Sequence, residues 1–202
     1  MSVDDRDRII AGGDKKKVSL EVTTTSGEVL TKFSGIASLD FPRNSGSFSR
    51  AFVQIRDGKN LDPIEFTPGT LAVQNASIDV QIPGIREVTG GTLTILPNAP
   101  MRVGLTSGVA TLEARTGNET EILATLYDRF GNLAYNHPSG MTAAFAIPSG
   151  YAKYGSIDAT GGFTNGVAKS KLRTTKKPGT LYYTVAVSPG LEANTFSITD
   201  KS

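Results

Sequence analysis

The residues that could do chemistry are few and scattered. His137, in Tyr135-Asn136-His137-Pro138-Ser139, is the single histidine, and cysteine is absent. A Ser-His-Asp relay would have to use His137, since no other imidazole is there to pass a proton. It stands in a turn-rich stretch beside Pro138, where a solvated loop histidine is the expected reading. One imidazole without a thiolate is also a poor start for a zinc site, because the other ligands would all be carboxylates. Asp128, Asn132 and Asp158 offer hard oxygens of the kind calcium takes, yet they lack the alternating carboxylates of a loop-type site. Asp128 and Asn132 read better as turn formers that bond nearby backbone N–H groups. No carboxylate sits among aromatics in the way a glycosidase cleft would need. Asp62-Pro63 is an acid-labile bond at which some surface proteins process themselves, but such pairs are ordinary turn formers. Tyr151, Tyr154, Tyr182 and Tyr183 are the one aromatic concentration, and several on one exposed face would dock a glycan or a protein. Tyr183 reads as core by its match to Ile78 and the others as packing against sheet edges, so no binding site is named from them. The basic runs Lys15-Lys16-Lys17 and Lys176-Lys177 read as charges that keep strand ends soluble. No catalytic, cofactor-binding or metal residue is assigned, no cofactor is expected, and the chain is read as not an enzyme.

The elements that would hold these residues are set by a repeat. Ser34-Gly35-Ile36 returns as Ser139-Gly140-Met141, Pro68-Gly69-Thr70-Leu71 as Pro178-Gly179-Thr180-Leu181, and Pro83-Gly84-Ile85 as Pro189-Gly190-Leu191. Thr92-Leu93-Thr94-Ile95 returns as Thr195-Phe196-Ser197-Ile198, so order is kept across both halves. A unit of about 100 residues is a whole domain rather than a solenoid turn. Strands are legible by alternation. Val18, Leu20 and Val22 map 104 positions on to Ile122, Ala124 and Leu126, and Ile78, Val80 and Ile82 map 105 positions on to Tyr183, Val185 and Val187. Both copies thus keep one inward parity, which a single-residue slip would invert. Further strands are expected at Phe52–Arg56, Thr92–Leu96, Met101–Thr106, Val109–Ala114, Thr142–Ile147 and Val167–Thr174. Glycine and proline pairs such as Asp57-Gly58, Asn165-Gly166 and Pro189-Gly190 mark the turns between them.

Composition narrows the class. The chain has 202 residues, 22 of them glycine and 10 proline, with 7% aromatics, which suits short strands and many turns. Lys+Arg of 21 against Asp+Glu of 19 leaves a net charge of +2, so no basic face for nucleic acid is implied. No apolar run is long enough to span a membrane. The absence of cysteine suits the cytosol and bacterial surface proteins alike. The opening Met1–Asp14 is charged and lacks the apolar core of a secretory signal, so the chain reads either as cytosolic or as a segment of a longer array. The missing opening strand of the first copy favours the second. Roughly seven short strands per hundred residues point to an all-β chain of two tandem antiparallel β-sandwiches. The expected layout is residues 1–13 as a disordered segment or partial first strand, 14–96 as the first sandwich and 97–202 as the second. Pro97 and Pro100 bracket the link.

These residues resemble the bacterial immunoglobulin-like repeats of the invasin/intimin class, group 1. The family pattern is an alternating strand running into Asp-x-x-Gly-Asn, later an Asn-Gly turn opening a strand, then Pro-Gly-Thr and two closing strands. Ile122-Leu123-Ala124-Thr125-Leu126-Tyr127-Asp128-Arg129-Phe130-Gly131-Asn132, Asn165-Gly166-Val167 and Pro178-Gly179-Thr180 follow it. The likeness runs over roughly Met101–Thr199. In the first copy Thr24-Thr25-Ser26-Gly27-Glu28 stands in place of Asp-x-x-Gly-Asn. The resemblance implies a non-enzymatic structural or adhesive segment of a bacterial surface protein, extracellular or at the cell surface. Its partners would be neighbouring repeats and a surface protein or glycan. Two alternatives are an accessory carbohydrate- or protein-binding module of a secreted enzyme, and a self-processing domain. The first copy has only Arg8–Ala11 where the second has two opening strands. Its sheet edge is therefore expected to be incomplete, to borrow Arg8–Ala11 or to dimerise, and to be the less stable of the two.

Overall fold

The computed structural model describes residues 8–42, 44–85, 88, 90–114 and 117–201, the stretch 192–201 by its backbone alone. The chain divides into two compact units, Met1–Asn98 and Ala99–Ser202, within the Leu96–Pro100 link. Among the described residues all regular structure is strand apart from one 3₁₀ turn at Ser149–Tyr151.

The second unit contains β11 (Arg102–Ser107), β12 (Thr111–Glu113), β13 (Glu119–Tyr127), β14 (Thr142–Ala146), β15 (Gly155–Ile157), β16 (Thr160–Gly162), β17 (Val167–Thr174), β18 (Thr180–Ser188) and β19 (Leu191–Lys201), the first unit contributing ten earlier strands. They form two sheets, ordered β11-β13-β17-β15 and β12-β19-β18-β14-β16. Period-two alternation decides which side faces in. Ile122, Ala124 and Leu126 of β13 and Leu181, Tyr183, Val185 and Val187 of β18 are buried between the sheets. Slipping β13 by one residue would expose Ile122 and Leu126 and bury Glu121, losing about 1.5–3 kcal/mol for each large apolar side chain.

The first unit contains β1 (Ile9–Ile10), β2 (Lys16–Val18), β3 (Gly35–Asp40), β4 (Gly46–Phe48), β5 (Phe52–Arg56), β6 (Lys59–Asn60), β7 (Ile64–Pro68), β8 (Val73–Ser77), β9 (Asp79–Gln81) and β10 (Thr92–Leu96). Here the sheets are smaller, ordered β1-β10-β8, β2-β7-β4 and β6-β5-β3-β9. Its core includes Val18, Leu20, Leu39, Val53, Ile55, Ile64, Ile78 and Ile95. Phe41 and Phe48 meet the Phe66 ring at 5.2 and 5.3 Å, contacts of about 0.5–1.5 kcal/mol each beyond area burial. The run Val73–Gln81 changes partners at Ile78. β8 pairs with β10, whereas β9 pairs with β3. β18, its counterpart, pairs with both β14 and β19 along its length.

Two expectations are corrected. Arg8–Ala11 does not complete the opening edge: Ile9 and Ile10 pair in parallel with Ile95 and Leu96, as Thr111–Glu113 pairs in parallel with β19. The match of Ser34-Gly35-Ile36 to Ser139-Gly140-Met141 is also one residue out of structural register. Leu39 lies opposite Val80 and Phe145 opposite Val185. Buried Ala37 and Leu39 therefore correspond to buried Ala143 and Phe145, whereas Ile36 is 50% exposed and Met141 buried.

Candidate functional site

The Asp128 turn is built to hold a backbone. Asp128 is fully buried, and its Oδ1 accepts from the N–H groups of Phe130 at 2.8 Å and Asn132 at 2.9 Å. Its Oδ2 accepts from Asn132 Nδ2 at 2.8 Å. A carboxylate with its lone pairs taken by local donors organises a loop and leaves little for a cation. Asp158 is engaged elsewhere, with Arg173 Nη1 at 2.6 Å. Among the described residues no three His, Cys, Asp or Glu side chains gather as metal ligands.

The first unit carries the same turn with neutral chemistry. The Thr24 N–H donates to Glu28 O at 2.8 Å, as that of Asp128 does to Asn132 O at 2.9 Å. Leu30 N–H reaches Val22 O as Ala134 N–H reaches Leu126 O, and Val22 N–H reaches Gly58 O as Leu126 N–H reaches Gly166 O. Thr24 Oγ1 replaces the carboxylate, accepting from Glu28 N–H at 3.2 Å. Gly58 and Gly166 have φ of +77° and +78°, and an added Cβ would meet Leu30 O at 2.7 Å and Ala134 O at 3.1 Å respectively. Glycine is required there by both conformation and space.

The remaining candidates are dispersed. His137 donates from Nδ1 to Pro138 O at 2.9 Å, and its ring lies 5.8 Å from Phe163, edge to face. The Asp62 carboxylate is held by Arg50 at 2.7 Å, beside Asn60 Nδ2, which donates to Asp62 O. Lys15 faces Glu65 at 3.7 Å, and Lys176 and Lys177 are exposed. The tyrosines do not share one face. Tyr183 is in the core, Tyr154 packs against it, and Tyr151 and Tyr182 meet at 4.7 Å with their rings tilted by 60°.

Sequence reasoning missed an ion-pair ladder on the outer face of β13 and β17. Lys169 pairs with Glu121 at 3.2 Å, Lys171 with Glu119 at 2.8 Å, and Arg173 with Asp158 and, at 3.6 Å, Glu119. The hydrogen bond from Lys171 holds the Glu119 carboxyl below its ordinary value, and that from Arg173 does the same for Asp158. Alternating acids on one strand and bases on the other were the signal, readable once the strands are paired.

One edge differs between the units. In the second, β11 covers the outer edge of β13. In the first, β2 is an edge strand, and among the described residues none pairs with the outer side of its continuation, Ser19–Thr23. Leu20 and Val22 turn their main-chain groups inward to Asn60 and Gly58.

No family profile matches the chain, and no curated protein matches it. Solved structures do. FdeC, described as an Escherichia coli adhesin, superposes with a TM-score of 0.56 at 15% identity, over 97% of this chain and 62% of its own. InvD of Yersinia pseudotuberculosis gives 0.57 at 20% identity, over 96% of this chain and 55% of its own. The fold is that of the tandem immunoglobulin-like domains of bacterial adhesins. The chain spans less than two thirds of the length of either structure. A family 2 glycosyl hydrolase from Bacteroides cellulosilyticus also matches, with a TM-score of 0.48 at 14% identity, over 83% of this chain and 22% of its own.

Proposed function

We propose that the chain is a pair of immunoglobulin-like repeats that works by contact at a bacterial cell surface, as a structural or adhesive segment, with no catalytic step. One observation carries the reading: the same sandwich, with the same turn hydrogen bonds, is built twice. Duplication multiplies surface and reach, whereas catalysis needs one converging site. The chemically capable side chains support it, since Asp128, Asp158, Asp62 and His137 are each engaged in a turn or an ion pair. Likeness to FdeC supplies the adhesive half of the proposal. Neighbouring repeats and a surface protein or glycan are the partners in view.

Displaying the chain on a non-adherent bacterium and counting cells retained on immobilised glycans and matrix proteins tests this. Retention above the empty display strain is expected. Turnover of a substrate that survives rigorous purification and disappears on a single polar substitution would refute the reading. The accessory-module alternative gains little from Tyr151 and Tyr182, which meet edge to face and offer no flat platform.

A further inference from the structure

The two copies show different chemistry on one matched sheet face. Strand β3 lies between β5 and β9, as β14 lies between β16 and β18. With Leu39 matched to Phe145, the outward residues of the two faces align pair by pair. In the second unit one outward row is Thr160, Ala144 and Ala186, and the next holds Thr142 and Gly162. In the first unit the same positions hold Phe52, Ser38 and Gln81, then Ile36 and Gln54. Phe52 is 70% exposed and Ile36 50%. The fold is thus complete with small residues at these places, and a phenyl ring left in water contributes nothing to it. Phe52, Ile36 and Gln81 also border a hollow of about 770 Å³ that Pro83 and Ile85 help to line.

We infer that this face binds a neutral saccharide, with Phe52 as the platform for one sugar ring. The C–H bonds on the flat side of a pyranose carry partial positive charge and settle against the negative face of an aromatic ring. Gln54 lies two residues along the strand from Phe52, and Gln81 lies in its row beyond Ser38. Their amides and the Ser38 hydroxyl each offer both donor and acceptor, as a ring of sugar hydroxyls requires. Two observations select this occupant over a protein. Charged side chains stand only at the ends of the field, Asp40 facing Asp79 beyond Ser38 and Arg56 facing Lys59 beyond Gln54. Three strands wide and two rows long, the neutral field covers about 200 Å², against about 800 Å² that each partner gives a stable protein interface. The same shortfall counts against a second copy of this chain. The undescribed residues nearest in sequence fit no better, since Arg43, Arg86 and Glu87 are charged and Met1–Asp7 carries four charges in seven residues. A charge set on a neutral face loses its water without gaining a partner.

The site gives the contact reading above a ligand class and rests on it. Its failure is separable, because cell retention through any other face survives the loss of saccharide binding here. The isotope-labelled full chain is titrated with lactose, cellobiose and maltose, each to about 50 mM, and with a sulfated heparin disaccharide as the charged control. At least one neutral disaccharide should give saturable shifts confined to Ile36–Ser38, Phe52–Gln54 and Gln81, with the matched Thr142–Ala144 unmoved. Phe52→Thr, which copies the residue type of Thr160, should weaken that binding at least about tenfold and leave the rest of the spectrum in place. Gln54→Ala, also at an exposed position, should weaken it too. Four results would overturn the inference. They are no shift with any neutral disaccharide, equal or larger shifts with the charged control, unchanged binding by the Phe52→Thr chain, and Phe52 signals that in the free chain ignore a soluble paramagnetic probe or move with chain concentration.

Discussion

At the scale of single residues, the two copies of one turn form an internal control. Asp128 holds two backbone donors and a side-chain amide from a fully buried position. Thr24 holds one backbone donor with a hydroxyl that also bonds the Ser26 hydroxyl at 2.7 Å, in an exposed setting. Removing a buried charged acceptor strands the donors it served, so Asp128→Ala should cost the second unit about 2–3 kcal/mol. Thr24→Ala should cost the first no more than about 1 kcal/mol, because water replaces the lost oxygen. Asp128→Asn keeps a carbonyl acceptor and should fall between. Urea denaturation, following each unit through its resolved amide signals, measures all three. The sequence reading of Asp128 and Asn132 as turn formers agrees with these bonds. The Thr24 turn was legible only as a departure from the motif, since its conservation of shape lies in main-chain bonds that side-chain identity does not encode.

Among the elements, alternation was the readable signal, and it succeeded where a strand is half buried. Phe52–Arg56, Thr92–Leu96 and Val167–Thr174 have the bounds expected from period two. β7 was not anticipated, although Ile64 and Phe66 alternate inward, because Asp62-Pro63 reads as a turn former. Proline is tolerated there, at the entry and the last residue of the strand. The change of partners at Ile78 is a long-range pairing choice, and no local pattern carries it. The ion-pair ladder across β13 and β17 gives an element-scale prediction. Glu119 and Asp158 titrate below their ordinary values in the folded chain. Their contribution is therefore complete above the unfolded carboxylate range and is lost as pH falls through the lowered folded values. Arg173, raised by Asp158, stays charged throughout. Acid titration of stability should show a shallow decline in the second unit, and added salt should flatten it because the pairs are exposed.

For the whole molecule, the two units should unfold in separate steps, the first unit leading. Among the described residues its strands are divided among sheets of three, three and four, against four and five in the second. Its strand β2 lies at a sheet edge, whereas β13 is flanked by β11 and β17. Calorimetry should resolve two transitions, and hydrogen exchange should be faster in β2 and β9 than in β13 and β18. A single transition with equal protection in both halves would contradict this ordering. The duplicated fold was legible from the repeat and the shortfall of the first copy from its missing opening strand, whereas the parallel place of Ile9–Ile10 beside β10 needed the strand pairing itself.

The parallel pairs that tie an early strand of each unit to its last strand have a mechanical meaning. Ile9–Ile10 is bonded alongside Ile95–Leu96, and Thr111–Glu113 alongside Thr199–Lys201. Tension applied to the two ends of a unit pulls such parallel strands past each other, so their bonds are loaded together in shear rather than peeled one by one. The first unit resists with a two-residue clamp and the second with three residues. Stretched end to end in a force spectrometer, the chain should give way first in the residues before Asn98. That event would lengthen it while the second unit still bears the load, so the chain would yield in two graded steps.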